Sequence, residues 1–254
     1  MQQVRPKKSF GQHFLKDRNI ALKIVQSLQQ EISGEVIEIG PGTGVLTTYL
    51  NEKYKNFQVI EVDDDSVEYL KNALPELKII HKDILKINLS EIAGENMALI
   101  GNLPYNISSQ IFFKVLDNRE FVDECVFMVQ KEVADRICSP AGNKTYGILS
   151  VLMQAYFEVK YLFTVSPGVF HPPPKVKSAV MRLKRNKVTQ YPCDESLFFA
   201  LVKSGFNHRR KTLRNAIKNH LPEGFSHSLL NKRAEQLEVV NFVALAQAIE
   251  AYNS

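Results

Sequence analysis

The sequence predicts an α/β protein in which a doubly wound, largely parallel sheet precedes a small all-helical C-terminal domain. Three observations predict it. Short apolar runs alternate with segments of helical period between residues 35 and 137; the first run ends on a glycine-rich turn, Gly40-Pro41-Gly42-Thr43-Gly44; and the composition turns helical after the polar stretch 184–193.

The elements follow in order. A basic arm leads through Ser9-Phe10-Gly11-Gln12-His13-Phe14-Leu15 into a helix expected over 17–30, with Asp17 as N-cap and Ile20, Ile24 and Leu28 spaced to face a core. Residues 35–39 form a strand, and a helix over 45–51 follows the glycine turn. A second strand, 57–62, runs into Glu61-Val62-Asp63-Asp64-Asp65 and a helix that stops before Pro75. Strands are expected over 77–81, 97–100 and 125–129, and helices over 108–116 and 131–137. Residues 158–165 and 176–183 read as two strands joined by the proline-rich 166–174, a spacing that permits an antiparallel pair without a crossover helix. Beyond the linker, helices are expected over 197–206, 211–219, 229–237 and 242–252. At about 60 residues this appendage is too small to rely on an independent core. The domain boundary is drawn after residue 185, giving domains 1–185 and 186–254.

Composition narrows the function. With 254 residues and 44% hydrophobic content the chain can bury a sizeable core, and no run approaches the ~18 apolar residues of a membrane span. The basic residues of the arm precede no apolar segment of the secretory kind. Cys125, Cys138 and Cys193 are widely spaced, without partners at metal-ligand spacing. They read as free thiols of a cytoplasmic protein, and no metal site is expected. Nothing marks an oligomer interface, so a monomer is expected.

Charge is informative by location. The net charge is +5, yet residues 159–222 hold thirteen Lys and Arg against two acids, Asp194 and Glu195, a local charge of +11 that leaves −6 for the remainder. Such segregation is the footprint of nucleic-acid binding, with a generically solvated basic surface as the plainer alternative. Prolines interrupt the stretch, which argues against a membrane-surface helix.

Three successive strand ends carry groups suited to one ligand. The form Glu38-x-Gly40-x-Gly42-x-Gly44 departs from the dinucleotide pattern Gly-x-Gly-x-x-Gly, and no P-loop is present. Glycine backbone at a strand-to-helix turn lets a ligand without pyrophosphate approach closely. Glu61, at the end of the second strand, can take two ribose hydroxyls with its two oxygens. Asp83, followed by Ile84, can accept from the exocyclic amino group of an adenine. A nucleoside with an amino-acid tail, S-adenosyl-L-methionine, fits that order.

After the fourth strand comes Asn102-Leu103-Pro104-Tyr105, which an ordinary strand-to-helix turn could also contain. Read as a site, Asn102 offers a neutral acceptor, Pro104 biases Leu103 towards extended geometry so that its carbonyl can face a ligand, and Tyr105 offers a stacking face. The group that such a site holds is an amino group on a planar ring.

The blocks 11–15 (Gly-Gln-His-Phe-Leu), 36–44 (Val-Ile-Glu-Ile-Gly-Pro-Gly-Thr-Gly), 101–108 (Gly-Asn-Leu-Pro-Tyr-Asn-Ile-Ser), 170–180 (Phe-His-Pro-Pro-Pro-Lys-Val-Lys-Ser-Ala-Val) and 206–215 (Phe-Asn-His-Arg-Arg-Lys-Thr-Leu-Arg-Asn) stand in an order that resembles the rRNA adenine dimethyltransferase family. The resemblance runs from about Lys7 to the C-terminal helices and is nearest to the small-subunit branch. It implies a Rossmann-like class I methyltransferase sheet and S-adenosyl-L-methionine as cofactor. The implied substrate is two adjacent adenosines near the 3′ end of small-subunit (16S) rRNA, dimethylated on their exocyclic amino groups during small-subunit biogenesis. It implies cofactor roles for His13, Leu15, Gly40, Gly42, Glu61, Asp83, Ile84 and Asn102. Catalytic roles fall to Asn102, Leu103, Pro104 and Tyr105, with Phe170 covering the second face of the base; a core-plugging Phe170 is the alternative. His13 departs from the Asn that many members carry. RNA contacts are expected from Lys7, Lys8, Lys175, Arg209, Arg210, Lys211 and Arg214, the last four at a helix start. A large-subunit rRNA methyltransferase, a non-catalytic nucleic-acid-binding relative and a DNA amino-methyltransferase are the rival readings. The intact cofactor acids and Asn-x-Pro-Tyr favour an enzyme.

Overall fold

The computed structural model describes residues 4–7, 10–29, 32, 34–94, 96–253. Its described residues divide into two compact units, Met1–Ala134 with Glu158–Arg185, and Asp135–Phe157 with Asn186–Ser254. Residues 135–157, assigned to the first domain from sequence, therefore pack with the C-terminal helices.

In the first unit the chain forms β1 (Phe14–Leu15), α1 (Arg18–Gln26), β2 (Glu35–Ile39), α2 (Thr47–Lys53), β3 (Phe57–Glu61), α3 (Asp64–Ala73), β4 (Lys78–His81), α4 (Ser90–Ala93), β5 (Met97–Asn102), α5 (Ser108–Asp117) and β6 (Val122–Gln130). After α6 (Lys131–Ile137) and α7 (Ile148–Tyr156) come β7 (Phe157–Val165), β8 (Phe170–His171) and β9 (Ser178–Arg185). Seven strands join in the order β4-β3-β2-β5-β6-β9-β7. The first five are parallel, and β9 runs antiparallel to β6. β3 is buried at every position, as a parallel strand covered on both faces requires. Asp17 caps α1 by accepting from the Asn19 and Ile20 N–H groups, but the helix ends at Gln26, short of the expected 30.

The short β1 pairs antiparallel with β8, Leu15 opposite Phe170. Both side chains belong to the same buried cluster as Ile24, Leu28, Val36, Val59, Ile100 and Val180. The N-terminal arm is thereby stitched to the proline-rich loop.

The second unit contains α7, then α8 (Glu195–Asn207), α9 (Leu213–Ala216) and α10 (Val239–Asn253). Its core includes Phe198, Leu201, Leu213, Leu230, Leu237, Phe242 and Leu245. The helix expected over 229–237 is instead two 3₁₀ turns, Ser228–Asn231 and Ala234–Gln236, with Lys232 and Arg233 extended between them. The Lys232 carbonyl there accepts from the Leu213 N–H at 2.8 Å, a tertiary bond that a continuous helix would forbid. The helix expected over 211–219 shortens to α9 and a 3₁₀ turn, Lys218–His220. α7, which the sequence pattern did not single out, is buried at seven of its nine positions and so lacks an amphipathic stripe.

Candidate active site

The carboxyl ends of β2, β3 and β5 and the segment after β4 open on one cleft of about 700 Å³, part of it open to solvent. This is where open α/β sheets bind ligands. Gly40 and Gly42 adopt φ of +66° and +54° in the turn after β2. A Cβ on Gly42 would stand 2.7 Å from the Phe14 ring, so only glycine lets the arm close against the turn.

Glu61 is 5% exposed, and three backbone groups hold it. Its Oε1 accepts from the Val62 and Asp63 N–H groups at 2.8 and 2.9 Å, and its Oε2 from Gly42 N–H at 3.1 Å. Burial raises its pKa, against the lowering effect of these bonds. Oε1 is saturated by its two N–H donors, whereas Oε2, with one, retains a lone pair for a ligand hydroxyl. Asp83 is fixed by one oxygen, which accepts from Leu85 N–H at 2.9 Å and caps a 3₁₀ turn that begins at Ile84. Both residues line the cleft, as do Val62 and Lys82.

Asn102 ends β5. Its Nδ2 donates to the His13 carbonyl at 2.9 Å, which leaves Oδ1 as the acceptor of a held amide. Leu103 is buried and its N–H donates to the Met128 carbonyl at 3.0 Å, fixing the chain as it leaves the sheet. Tyr105 is pinned by a 2.6 Å hydrogen bond between its hydroxyl and Ser178 Oγ. Burial raises its pKa, so the phenol is neutral. The His13 ring lies 5.3 Å from the Tyr105 ring, and its Nδ1 hydrogen-bonds the Pro172 carbonyl at 2.7 Å. Among the described residues no group of three or more His, Cys, Asp and Glu could hold a metal ion, and no helix is long and apolar enough to cross a membrane.

The family profile described as ribosomal RNA adenine dimethylase matches residues 3–254. The chain belongs to that family. As a ribosomal RNA adenine dimethylase it is a methyltransferase acting on rRNA adenine, built on the class I α/β fold. It is 54% identical over 256 residues to a protein named ribosomal RNA small subunit methyltransferase A of Cytophaga hutchinsonii, covering 98% of this chain and 99% of the relative. A protein of the same name from Flavobacterium johnsoniae is 52% identical, with 99% and 98% covered. Among solved structures, a dimethyladenosine transferase from Plasmodium falciparum matches with a TM-score of 0.79 and 26% identity, covering 95% of this chain and 98% of that one. The 23S rRNA methyltransferase ErmE matches in fold, with a TM-score of 0.68 at 23% identity, over 93% and 99% of the two chains.

In this adenine dimethylase the cleft gathers His13, Gly40, Gly42, Glu61, Asp83, Ile84, Asn102, Leu103, Pro104 and Tyr105. Two expected residues lie elsewhere. Phe170 is 1% exposed within the core cluster and does not line the cleft, so the core-plugging role describes it. Leu15 is buried in the same cluster, its strand paired with β8. Their apolar surface is worth more against the sheet than beside a polar ligand. Phe10, Gly11, Gln12 and Phe14, absent from the sequence-derived set, line the cleft instead. For Gly11, Gln12 and Phe14 the position next to His13 in the 11–15 block was the available signal, and Phe10 immediately precedes that block.

The expected RNA contacts divide in the same way. Lys175, Arg210, Lys211 and Arg214 are exposed. Lys175 sits on a loop; Arg210 and Lys211 just precede α9 and Arg214 lies in it, so a helix does start there but runs for four residues only. Arg209 is committed internally: Nε donates to Glu235 Oε2 at 2.9 Å, and the guanidinium also donates to the Lys144 and Tyr146 carbonyls, the latter at 3.0 Å. Lys7 is bound to Asp63 and Asp65. Lys8 lies outside the described residues.

Proposed function

We propose that the cleft binds S-adenosyl-L-methionine and that the chain dimethylates the exocyclic amino groups of two adjacent adenosines near the 3′ end of small-subunit (16S) rRNA, during biogenesis of that subunit in the cytoplasm. One observation carries the reading: the Asn102 amide is clamped by the His13 carbonyl with its oxygen left as acceptor, in the cleft that also holds Glu61 and Asp83. The relatives named small subunit methyltransferase A support the choice of rRNA.

The residues present fit the cofactor. The positive-φ turn brings backbone close to the amino-acid end, Glu61 accepts from the ribose, Asp83 accepts from the adenine amino group, and Val62 and Ile84 supply apolar contact for its ring. When bound, S-adenosyl-L-methionine supplies an electrophilic methyl on a sulfonium.

The target amino group is a poor nucleophile because its lone pair is delocalised into the ring. Asn102 Oδ1 and the Leu103 carbonyl, accepting its two hydrogens, favour a pyramidal nitrogen with a localised lone pair. Tyr105 stacks on the base and aligns it. Alignment and preorganised dipoles carry the acceleration, and no strong base is needed. An Asp at position 102 would add a charge to a half-buried site, whereas Asn accepts without that desolvation cost. Such a base must first leave its RNA stack, at a cost of a few kcal/mol. Lys175, Arg210, Lys211 and Arg214 are the free cations proposed to hold the phosphates, and the protein acts as a monomer.

The test is methyl transfer from labelled S-adenosyl-L-methionine to small subunits lacking adenine dimethylation, with products mapped by mass spectrometry of RNA fragments. Label at two adjacent adenosines near the 3′ end is the expected outcome. Label confined to large-subunit RNA would overturn the substrate, and cofactor binding without label in either RNA would overturn the catalytic reading.

A further inference from the structure

The N-terminal arm is tied down on both sides of the cleft. On one side the His13 carbonyl holds Asn102 Nδ2 and His13 Nδ1 bonds the Pro172 carbonyl. On the other side, just past β3, the anchor is Asp63. Its Oδ1 takes the Lys7 ammonium, and its Oδ2 accepts from Gln12 Nε2 at 3.2 Å and from Ser66 Oγ at 3.0 Å. Lys7 also reaches Asp65 at 2.8 Å, and its backbone N–H donates to Gln12 Oε1 at 2.8 Å, closing the arm on itself. Between the two anchors, residues 10–14 form one wall of the cleft.

The Asp63 side chain is fully buried, which a carboxylate tolerates only when paired. Burial works to raise its pKa, but the bonds from Lys7, Gln12 and Ser66 outweigh it and hold the group below the usual carboxylate range. Its backbone N–H donates to Glu61 Oε1. A single residue therefore joins the arm to the carboxylate read above as the ribose acceptor.

We propose that Asp63 is a positioning residue that, with Lys7, latches the arm across the cleft and so sets both the residence time of the cofactor and the orientation of the Asn102 amide. The proposal rests on the reading of the cleft as the S-adenosyl-L-methionine site. A ligand behind the arm leaves when the arm lifts, and lifting breaks the Lys7–Asp63 pair, so the latch acts on dissociation more than on association. Lifting also removes the His13 carbonyl from Asn102 Nδ2. The amide is then free to turn and present a donor where the adenine amino group requires an acceptor.

The full chain and its Lys7→Arg, Lys7→Met and Asp63→Asn variants would be compared by stopped-flow dissociation of S-adenosylhomocysteine, by hydrogen exchange of residues 10–14 in the free protein, and by kcat. Loss of a charged hydrogen bond that is partly exposed predicts about tenfold faster dissociation in Lys7→Met and Asp63→Asn. Faster arm exchange and a lower kcat accompany it, while Lys7→Arg stays near wild type. Dissociation and exchange at wild-type rates in Lys7→Met would overturn the latch. Lys7 is partly exposed, so this variant decides the matter even where Asp63→Asn fails to fold. Wild-type protein that binds no S-adenosylhomocysteine would overturn the cofactor reading alone, and faster arm exchange in Lys7→Met would still support the latch.

Discussion

The two compact units use their polar groups in opposite ways. Around the cleft of the first unit, each key side chain keeps one face bonded to the protein and one face open. Glu61 sits on three N–H groups, Asp83 on one, and Asn102 on the His13 carbonyl. In the second unit the exposed cations Arg210 and Lys211 stand on irregular backbone and Arg214 on the four-residue α9, while Arg209, held by several bonds, is spent inside the unit. The contrast separates two kinds of recognition. Chemistry needs groups fixed before the ligand arrives, whereas phosphate contacts need charge and reach.

Removing a fixed group from the first unit is the strongest way to break this contrast. Asn102→Ala is expected to lower single-turnover methyl transfer by about 10²–10³-fold, the usual effect of deleting one preorganised polar contact. Binding of S-adenosylhomocysteine, measured by calorimetry, should persist. A variant that kept wild-type rates would move the chemistry away from this amide.

The second unit offers an internal control. Replacing Arg210, Lys211 and Arg214 together with Ala should weaken rRNA binding at least tenfold and lower the salt slope of binding by about 2–3. Thermal stability should hardly move. Arg209→Ala should do the reverse, costing about 1 kcal/mol of stability after allowance for its partial exposure, with little change in salt slope. Filter binding across a salt series, with melting curves on the same samples, separates the two. Equal salt slopes for the two variants would erase the distinction between structural and free cations.

A smaller effect is expected at the turn that lets the arm close. Gly42→Ala forces a Cβ into the Phe14 ring at a φ of +54°. The left-handed backbone alone costs about 1–2 kcal/mol for a residue with a Cβ. Both cofactor affinity and the melting temperature should fall, whereas the same change at Gly142, also at positive φ but with nothing within 4 Å, should cost only the backbone part.

Much of the first unit was legible because strand ends announce themselves. The apolar run 97–101 followed by Asn-Leu-Pro-Tyr, and 57–60 followed by Glu61, place side chains at the carboxyl edge of a parallel sheet whatever the helices do. Residue pattern could not say which aromatic faces the cleft. Phe14 and Phe170 lie on neighbouring two-residue strands, and only the antiparallel pairing Phe14–His171, Leu15–Phe170 sends one to the cleft and the other to the core. Arg209 was misread for a similar reason. Its partners Lys144, Tyr146 and Glu235 are distant in sequence, and two belong to the segment 135–157 that sequence assigned to the other domain. The 3₁₀ turns near Ala234 followed from a tertiary bond at Lys232, not from propensity.

The smallest effect on methyl transfer belongs to Glu38, whose consequence should appear in stability. It is 1% exposed, does not line the cleft, and accepts from Thr47 Oγ1 at 2.6 Å. Burial pushes its pKa up to about 8; the Thr47 bond works against this and the nearby Glu61 adds to it. Between about pH 4.5 and 8 the folded chain thus keeps a proton that the unfolded chain has released. Stability contributed by this group is present below that window and is lost as pH rises through it, at no more than ~1.4 kcal/mol per pH unit for one proton. Glu38→Gln keeps the shape and an acceptor for Thr47 but cannot titrate. Its stability profile from denaturant unfolding should therefore be flatter than wild type across pH 5–8, with the variant the more stable at the upper end. Glu124 carries a raised pKa of the same sign and remains in both proteins, so it cancels in the difference, whereas Glu61, which interacts with Glu38, contributes through that interaction to the same change. Parallel profiles would mean that Glu38 is ionised in the folded chain at neutral pH, with the Thr47 bond outweighing burial.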